Sequence, residues 1–227
     1  PNVYRPGTEI APLSSSTARQ LGLSPRIPVF AGTTDSTAAF LATGATPGEG
    51  VTSLGSTLVL KVYTDRPLFE PRYGIYSHRL GDRWLAGGAS NSGGSVLRRY
   101  FSQAEIEQLT EHLDPSAPTG LDYYPLPAPG ERFPVCDPAL QPRLTPRPAS
   151  DVEFLQGILE GLARIEQRGY ARLAALGAPY PERVISVGGG AGNAPWTLIR
   201  RQMLDVPVTA ARHQEAAYGA ALLARGL

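Results

Sequence analysis

From residue 150 onward the chain alternates helical and extended periodicity, segment after segment. Ser150-Asp151-Val152-Glu153 reads as a capping box, in which the Ser150 and Glu153 side chains satisfy each other's exposed backbone N–H groups. Phe154, Leu155, Ile158, Leu159, Leu162 and Ile165 follow at helical spacing, the pattern runs to Leu176, and Gly177 ends it. RVISVGGG (183–190) reads as a strand entering a glycine turn. Asn193 is placed to cap a helix to about Leu204, with Pro195 tolerated in its first turn. VPVTA (206–210) is a further strand and QEAAYGAALLARGL (214–227) a terminal helix. Preceded by strand hairpins, this order predicts an α/β domain with a mixed sheet flanked by helices.

The first half supplies those hairpins. In 1–26, Ser16 is a candidate cap for a short helix that stops near Gly22. IPVFAG (27–32) is too short and too β-branched for a helix and predicts a buried strand, and TAAFLAT (37–43) a helix ending before Gly44. GVTSLGSTLVLKVYT (50–64) predicts two strands joined at Gly55-Ser56, and Gly81-Asp82 a hairpin between IYSHRL (75–80) and RWLAGG (83–88). NSGGSVLRRYFS (91–102) predicts a helix with a glycine-rich entry. Residues 103–150 are expected to form a Pro-rich irregular insertion, because ten of the 22 prolines lie between 115 and 148. Tyr123, Tyr124 and Phe133 imply that it packs down rather than floats.

Charge and cysteine usage narrow the class. Twenty-one basic against 20 acidic residues leave a formal net charge of +1 in 227 residues, and the arginine pairs 98–99 and 200–201 are isolated. That speaks against a nucleic-acid partner. Lys61 is the sole lysine, so a phosphate site here lacks the usual P-loop lysine and must lean on backbone N–H groups, hydroxyls and a metal. Cys136 is the sole cysteine, which fits a reducing, cytoplasmic setting. No apolar run approaches the ~18 residues that span a bilayer. His78, His112 and His213 are scattered, and no metal-ligand cluster is evident. The chain begins at Pro1, as a piece of a longer protein would.

Three glycine turns close predicted strands: Gly32 to Asp35, Gly55 to Thr57, and Gly188 to Gly192. Glycine lets backbone approach a ligand closely, and strand-end turns leave N–H groups that can cradle phosphate. Ser53, Ser56 and Thr57 add neutral donors. GGGAG is not followed by the acid of a dinucleotide fingerprint, since the nearby Asp205 precedes the next strand. Asp35, just before a helix, is either an N-terminal capping residue or a general base kept ionised by the helix N-terminus. GASNSGG (88–94) is not a nucleophile elbow. Trp196 is either core or a surface on which a flat base could stack.

Taken in order, the motifs resemble the C-terminal half of an FGGY-family carbohydrate kinase of the xylulokinase and ribulokinase type. "PGT…LGL…IPVFAGTTDSTAA" resembles the lead-in to the family's catalytic aspartate, and "SLGST" its second phosphate motif, here ordered Gly-Ser-Thr rather than Gly-Thr-Ser. "YYPLPAPGERFP" resembles its Gly-Glu-Arg-x-Pro stretch, "ISVGGGAGNAPWTLIRRQMLDVPV" its adenosine motif and "QEAAYGAALLA" its last helix. Gly192 stands where many members carry arginine. The resemblance implies an actin-like, ribonuclease-H-like domain filling 1–227. It implies ATP and Mg²⁺ as cofactors and Asp35 as the base that deprotonates a sugar hydroxyl. Gly55, Ser56 and Thr57 would hold the phosphates, and Gly32, Thr33, Gly188, Gly189, Gly190, Asn193 and Trp196 complete the nucleotide-binding set. The implied partners are ATP or ADP, a small sugar such as D-xylulose or D-ribulose, and an N-terminal domain of the same protein, with a homodimer left open. An actin-like nucleotide-binding module without small-molecule kinase activity is the competing expectation.

Overall fold

A computed structural model describes residues 2–226. The chain divides into two compact units, one of residues 45–79 and 83–211, the other of residues 1–44, 80–82 and 212–227.

The larger unit is built on a mixed six-stranded sheet. Its strands are β3 (Glu49–Leu54), β4 (Leu58–Thr64), β5 (Tyr76–Leu80), β6 (Arg83–Ala89), β7 (Arg183–Val187) and β8 (Val208–Ala210), in the spatial order β5-β6-β4-β3-β7-β8. β4 runs antiparallel to β3 and β6, while β7 runs parallel to β3 and β8. Its helices are α3 (Gly94–Leu97), α4 (Gln103–Thr110), α5 (Asp151–Ala175) and α6 (Ala194–Leu204). α5 packs on α6, β4 and β6, and its buried face joins the core with Leu58, Leu60, Phe133, Val184 and Ile199. Ser150 starts this helix by accepting from the Glu153 N–H at 3.3 Å.

The Pro-rich segment differs from expectation at its start. Helix α4 occupies Gln103–Thr110, opened by a complete Ser102–Glu105 capping box, and the helix expected over 91–102 is a single turn at Gly94–Leu97. The new cap lets the chain begin a second helix instead of extending the first. From 111 to 150 no helix or strand forms. This stretch nevertheless packs down, with Tyr123 at 2%, Tyr124 at 7% and Phe133 at 0% exposure. Glycines in α5 make room for it. A Cβ at Gly161 would fall 2.8 Å from Pro125 Cδ, and one at Gly169 would fall 2.7 Å from the Phe133 ring. Each glycine costs a helix ~1 kcal/mol against alanine, and here close packing offsets that cost.

A buried polar network ties four elements together. Arg200 on α6 donates through Nε and Nη2 to the two carboxylate oxygens of Glu166 on α5, at 2.6 and 2.7 Å. Its Nη1 donates to Ser186 Oγ on β7 at 2.7 Å. Thr52 Oγ1 on β3 donates to Glu166 Oε1 at 2.6 Å and lies 2.8 Å from Tyr170 Oη. The Arg200 and Glu166 side chains are 0% and 1% exposed. Burial pulls the Arg200 pKa down, but the Glu166 carboxylate more than reverses this and holds the guanidinium charged.

The smaller unit contains β1 (Glu9–Pro12), α1 (Ser15–Leu21), β2 (Pro28–Phe30), α2 (Asp35–Ala42) and α7 (Ala216–Ala224). Ser14, not Ser16, caps α1, accepting from the Thr17 N–H at 3.2 Å, and Gly22 closes it in the left-handed conformation. α2 and α7 pack closely, since a Cβ at Gly219 would overlap the Ala38 carbonyl. β2, expected to be buried, is exposed: Val29 is 39% and Ile27 40% accessible. Among the described residues it pairs only with β1, in a two-stranded ribbon, and β1 is itself exposed. A short apolar run signals a strand without saying what covers it.

Breaking the buried pair from one side leaves a charge without its partner. Arg200→Met is expected to destabilise the fold by about 3–5 kcal/mol, read as a lower midpoint in urea denaturation. A loss under about 1 kcal/mol would mean that water or another cation compensates Glu166.

Candidate nucleotide site

β3 and β7 lie parallel, with Ser53 opposite Val187, so the turns that follow them leave the same sheet edge side by side. Beyond the carboxyl ends of neighbouring parallel strands is where α/β sheets place ligands. The two turns touch: a Cβ at Gly188 would lie 3.0 Å from the Leu54 carbonyl, and Gly188 itself has φ 86°, which a side chain would strain. After a 3₁₀ turn at Gly189–Gly192, Asn193 caps α6, its side chain accepting from the Trp196 N–H at 2.8 Å. Asn193 Nδ2 donates to Thr110 Oγ1 on α4 at 3.2 Å. A cavity of about 470 Å³ opens between these elements.

The cavity brings together most of the anticipated nucleotide residues. Gly55, Ser56, Gly189, Gly190, Asn193 and Trp196 line it, together with Gly192. Thr57 follows Ser56 in the turn without lining the cavity, and Gly188 sets the turn behind it. Trp196 enters as a wall rather than an open stacking surface. It is 3% exposed, its Nε1 donates to the Leu159 carbonyl at 3.1 Å, and its ring lies against Gly190, where a Cβ would fall 2.5 Å from Cζ3. A Cβ at Gly192 would meet nothing within 4 Å, so this glycine leaves open space.

Residues from α3 and α4 complete the wall, among them Arg98, Gln103, Ile106, Glu107 and Thr110, which no sequence motif marks as site residues. Their signal was weak because the capping box that places α4 lies in a segment read as irregular. Gly93 and the first residues of α3 sit directly on the Gly55-Ser56 turn. Gly94 N–H donates to the Gly55 carbonyl at 2.9 Å and Ser95 N–H to the Ser56 carbonyl at 3.1 Å. At Gly93 a Cβ would fall 2.6 Å from the Ser56 oxygen, so only glycine fits.

Glu131 of the Gly-Glu-Arg stretch holds that loop from behind. Its carboxylate accepts from Ser90 Oγ at 2.7 Å, Asn91 N at 2.6 Å, Tyr124 Oη at 3.0 Å and Arg132 N at 2.9 Å. Ser92 Oγ donates to the Pro125 carbonyl at 2.6 Å. Both serines of GASNSGG are therefore buried structural donors, not nucleophiles. Burial and the neighbouring Glu131 carboxylate push the Tyr124 phenol pKa well up, so it remains a donor.

Gly32, Thr33 and Asp35 belong to the smaller unit. Thr34 occupies the N-cap position of α2 and Asp35 is its first residue, so Asp35 is not the cap. Its carboxylate accepts from the Ser36 N–H at 2.6 Å and is exposed to solvent. Gly32 has open space around it.

The family model "FGGY family of carbohydrate kinases, C-terminal domain" matches residues 50–225. The chain belongs to the FGGY family of carbohydrate kinases. It is 29% identical to the L-fuculokinase of Escherichia coli K12 over 223 residues, covering 92% of this chain and 45% of that protein. It is 26% identical to the xylulose kinase of Bacillus subtilis, covering 91% of this chain and 44% of that one. The crystal structure of a xyloylose kinase from Brucella ovis superposes with a TM-score of 0.86 at 25% identity, over 99% of this chain and 48% of that one. The fold is thus the actin-like one of FGGY kinases, and the chain spans about half the length of the curated relatives it matches.

If the cavity takes a nucleotide, Trp196 reports it. In a Trp84→Phe variant of the full-length protein, where Trp196 is the tryptophan left of this chain's two, ADP is expected to shift or quench Trp196 emission with saturation. A flat titration at millimolar ADP would remove the nucleotide from this cavity.

Proposed function

We propose that the full-length protein transfers the γ-phosphoryl group of ATP to a sugar hydroxyl, with this chain supplying the nucleotide side of the cleft and the general base. The observation that carries this reading is the cavity at the shared edge of β3 and β7, bounded by two glycine turns and lined by Asn193, the N-cap of α6. The family membership of the chain supports a small-molecule kinase over a nucleotide-binding module that phosphorylates nothing.

Gly55, Ser56 and Thr57 bind the phosphates through turn N–H groups and hydroxyls, with Gly32 and Thr33 as the corresponding turn of the smaller unit. Gly188, Gly189, Gly190, Asn193 and Trp196 enclose the nucleoside. Asp35 accepts the proton of the attacking hydroxyl as its oxygen bonds to the γ-phosphorus. The bond from that phosphorus to the β–γ bridging oxygen breaks, and ADP leaves. Asp35 stands in the first turn of α2 with its side chain exposed, so an incoming hydroxyl can reach its carboxylate. Such transfer is mostly positioning and charge neutralisation. No group of three His, Cys, Asp or Glu among the described residues could enclose a metal. Mg²⁺ fits this chain only as an ion carried on the triphosphate, where it would neutralise phosphate charge.

The substrate is a ketopentose such as D-xylulose or D-ribulose, a choice supported by the xylulose kinases among the relatives. The rest of the sugar pocket belongs to the remainder of the protein. Full-length protein with ATP should release ADP in the presence of D-xylulose or D-ribulose, and a coupled assay that also offers L-fuculose and gluconate ranks the alternatives. Sugar-independent ATP hydrolysis alone would favour the module without a small-molecule acceptor. Asp35→Asn should lower kcat by about 10²–10⁴-fold, as loss of a general base does. A variant retaining more than about a tenth of wild-type kcat would remove Asp35 from that role.

A further inference from the structure

The cavity carries charge of both signs, at different places on its wall. Arg98, at the end of α3, and Glu107, on α4, are its charged lining residues. They form no ion pair with each other: Glu107 Oε1 accepts from Gln103 Nε2 at 2.8 Å, while Arg98 Nη2 donates to Ser56 Oγ at 2.9 Å. Arg72, Arg83, Arg143, Arg147, Arg183 and Arg200 each engage a carboxylate. The Arg98 guanidinium is exposed, and its contact with Ser56 uses one of five N–H donors.

We infer that Arg98 is a phosphate-gripping cation of this site, doing from α3 what the absent lysine does in a P-loop. The inference rests on the reading of the cavity as a nucleotide pocket. Lys61, the one lysine, lies on β4 and is 7% exposed. By donating to Ser56 Oγ, Arg98 fills a lone pair of that hydroxyl and leaves its proton to donate to a phosphate oxygen. Arg98 lines the cavity beside Ser56, and its guanidinium keeps further N–H donors in a planar fork, the geometry that suits phosphate oxygens. Glu107 fixes the opposite polarity: its carboxylate repels phosphate and is compatible with ribose hydroxyls or base amino groups. The nucleotide therefore lies with its phosphates toward Ser56 and Arg98 and its nucleoside toward Thr110, Asn193 and Glu107.

Calorimetric titration of the full-length protein with ADP and with adenosine tests this. Arg98→Ala should weaken ADP by about tenfold to a hundredfold, the loss expected for hydrogen bonds to a charged group, and leave adenosine affinity unchanged. Arg98→Lys should recover part of the ADP affinity, since charge returns without the fork. Arg99→Ala, which removes a guanidinium bonded to the Pro127 carbonyl outside the cavity, should bind ADP as wild type does. Equal weakening of ADP and adenosine by Arg98→Ala would reduce Arg98 to a prop for the Ser56 turn, and undiminished ADP binding would show that it touches no phosphate. Either result overturns the inference and leaves the nucleotide pocket standing. A wild-type protein that binds neither compound would overturn both.

Discussion

Everything around the cavity depends on one buried contact, the bidentate pairing of Arg200 with Glu166. The helix α6 that Asn193 caps, the strand β7 that delivers the second glycine turn and the strand β3 that delivers the first all bond to it, through Arg200, Ser186 and Thr52. Two charges out of water are expensive unless geometry and extra hydrogen bonds satisfy them. Here each oxygen of the carboxylate receives at least one donor. An apolar replacement could match that stability. What it would not supply is direction, because a fork and a carboxylate accept each other in few orientations, and those orientations fix where the two turns stand.

A second carboxylate does comparable work through hydroxyl and backbone N–H donors. Glu131 is 3% exposed and gathers hydroxyl and N–H donors from three parts of the chain. It draws the Ser90–Ser92 loop toward the Pro-rich segment, and that loop presses Gly93 and Gly94 onto the Gly55-Ser56 turn. The irregular stretch thus acts on the cavity from a distance, as backing for a loop that touches the turn.

Local patterns were readable because their physics is local. The strand pair around Gly55-Ser56, the helix after Ser150 and the Asn193 cap followed from turn chemistry and spacing, and the motif order pointed to the family. Facts of tertiary packing were not readable. Glu166 and Arg200 lie 34 residues apart and look like any two charges on helices, and the arginine pair 98–99 gave no hint that one member faces a cavity. The shortness and β-branching of IPVFAG mark β2 as a strand, but they do not reveal that it is exposed. Trp196 shows both sides of the problem, since its place behind the glycine turn was legible but its burial against Leu159 was not.

The smaller unit joins residues 1–44 to residues 212–227. On a ribosome, the first segment emerges long before the second. At roughly 5–20 residues per second, the intervening stretch takes on the order of ten seconds or more to appear. Until then α2 has no α7 to receive the Ala38 surface that Gly219 later covers. The larger unit, drawn from a nearly continuous run, has all its strands available first. Synthesis therefore imposes an order on assembly, with the unit that carries Asp35 completed last.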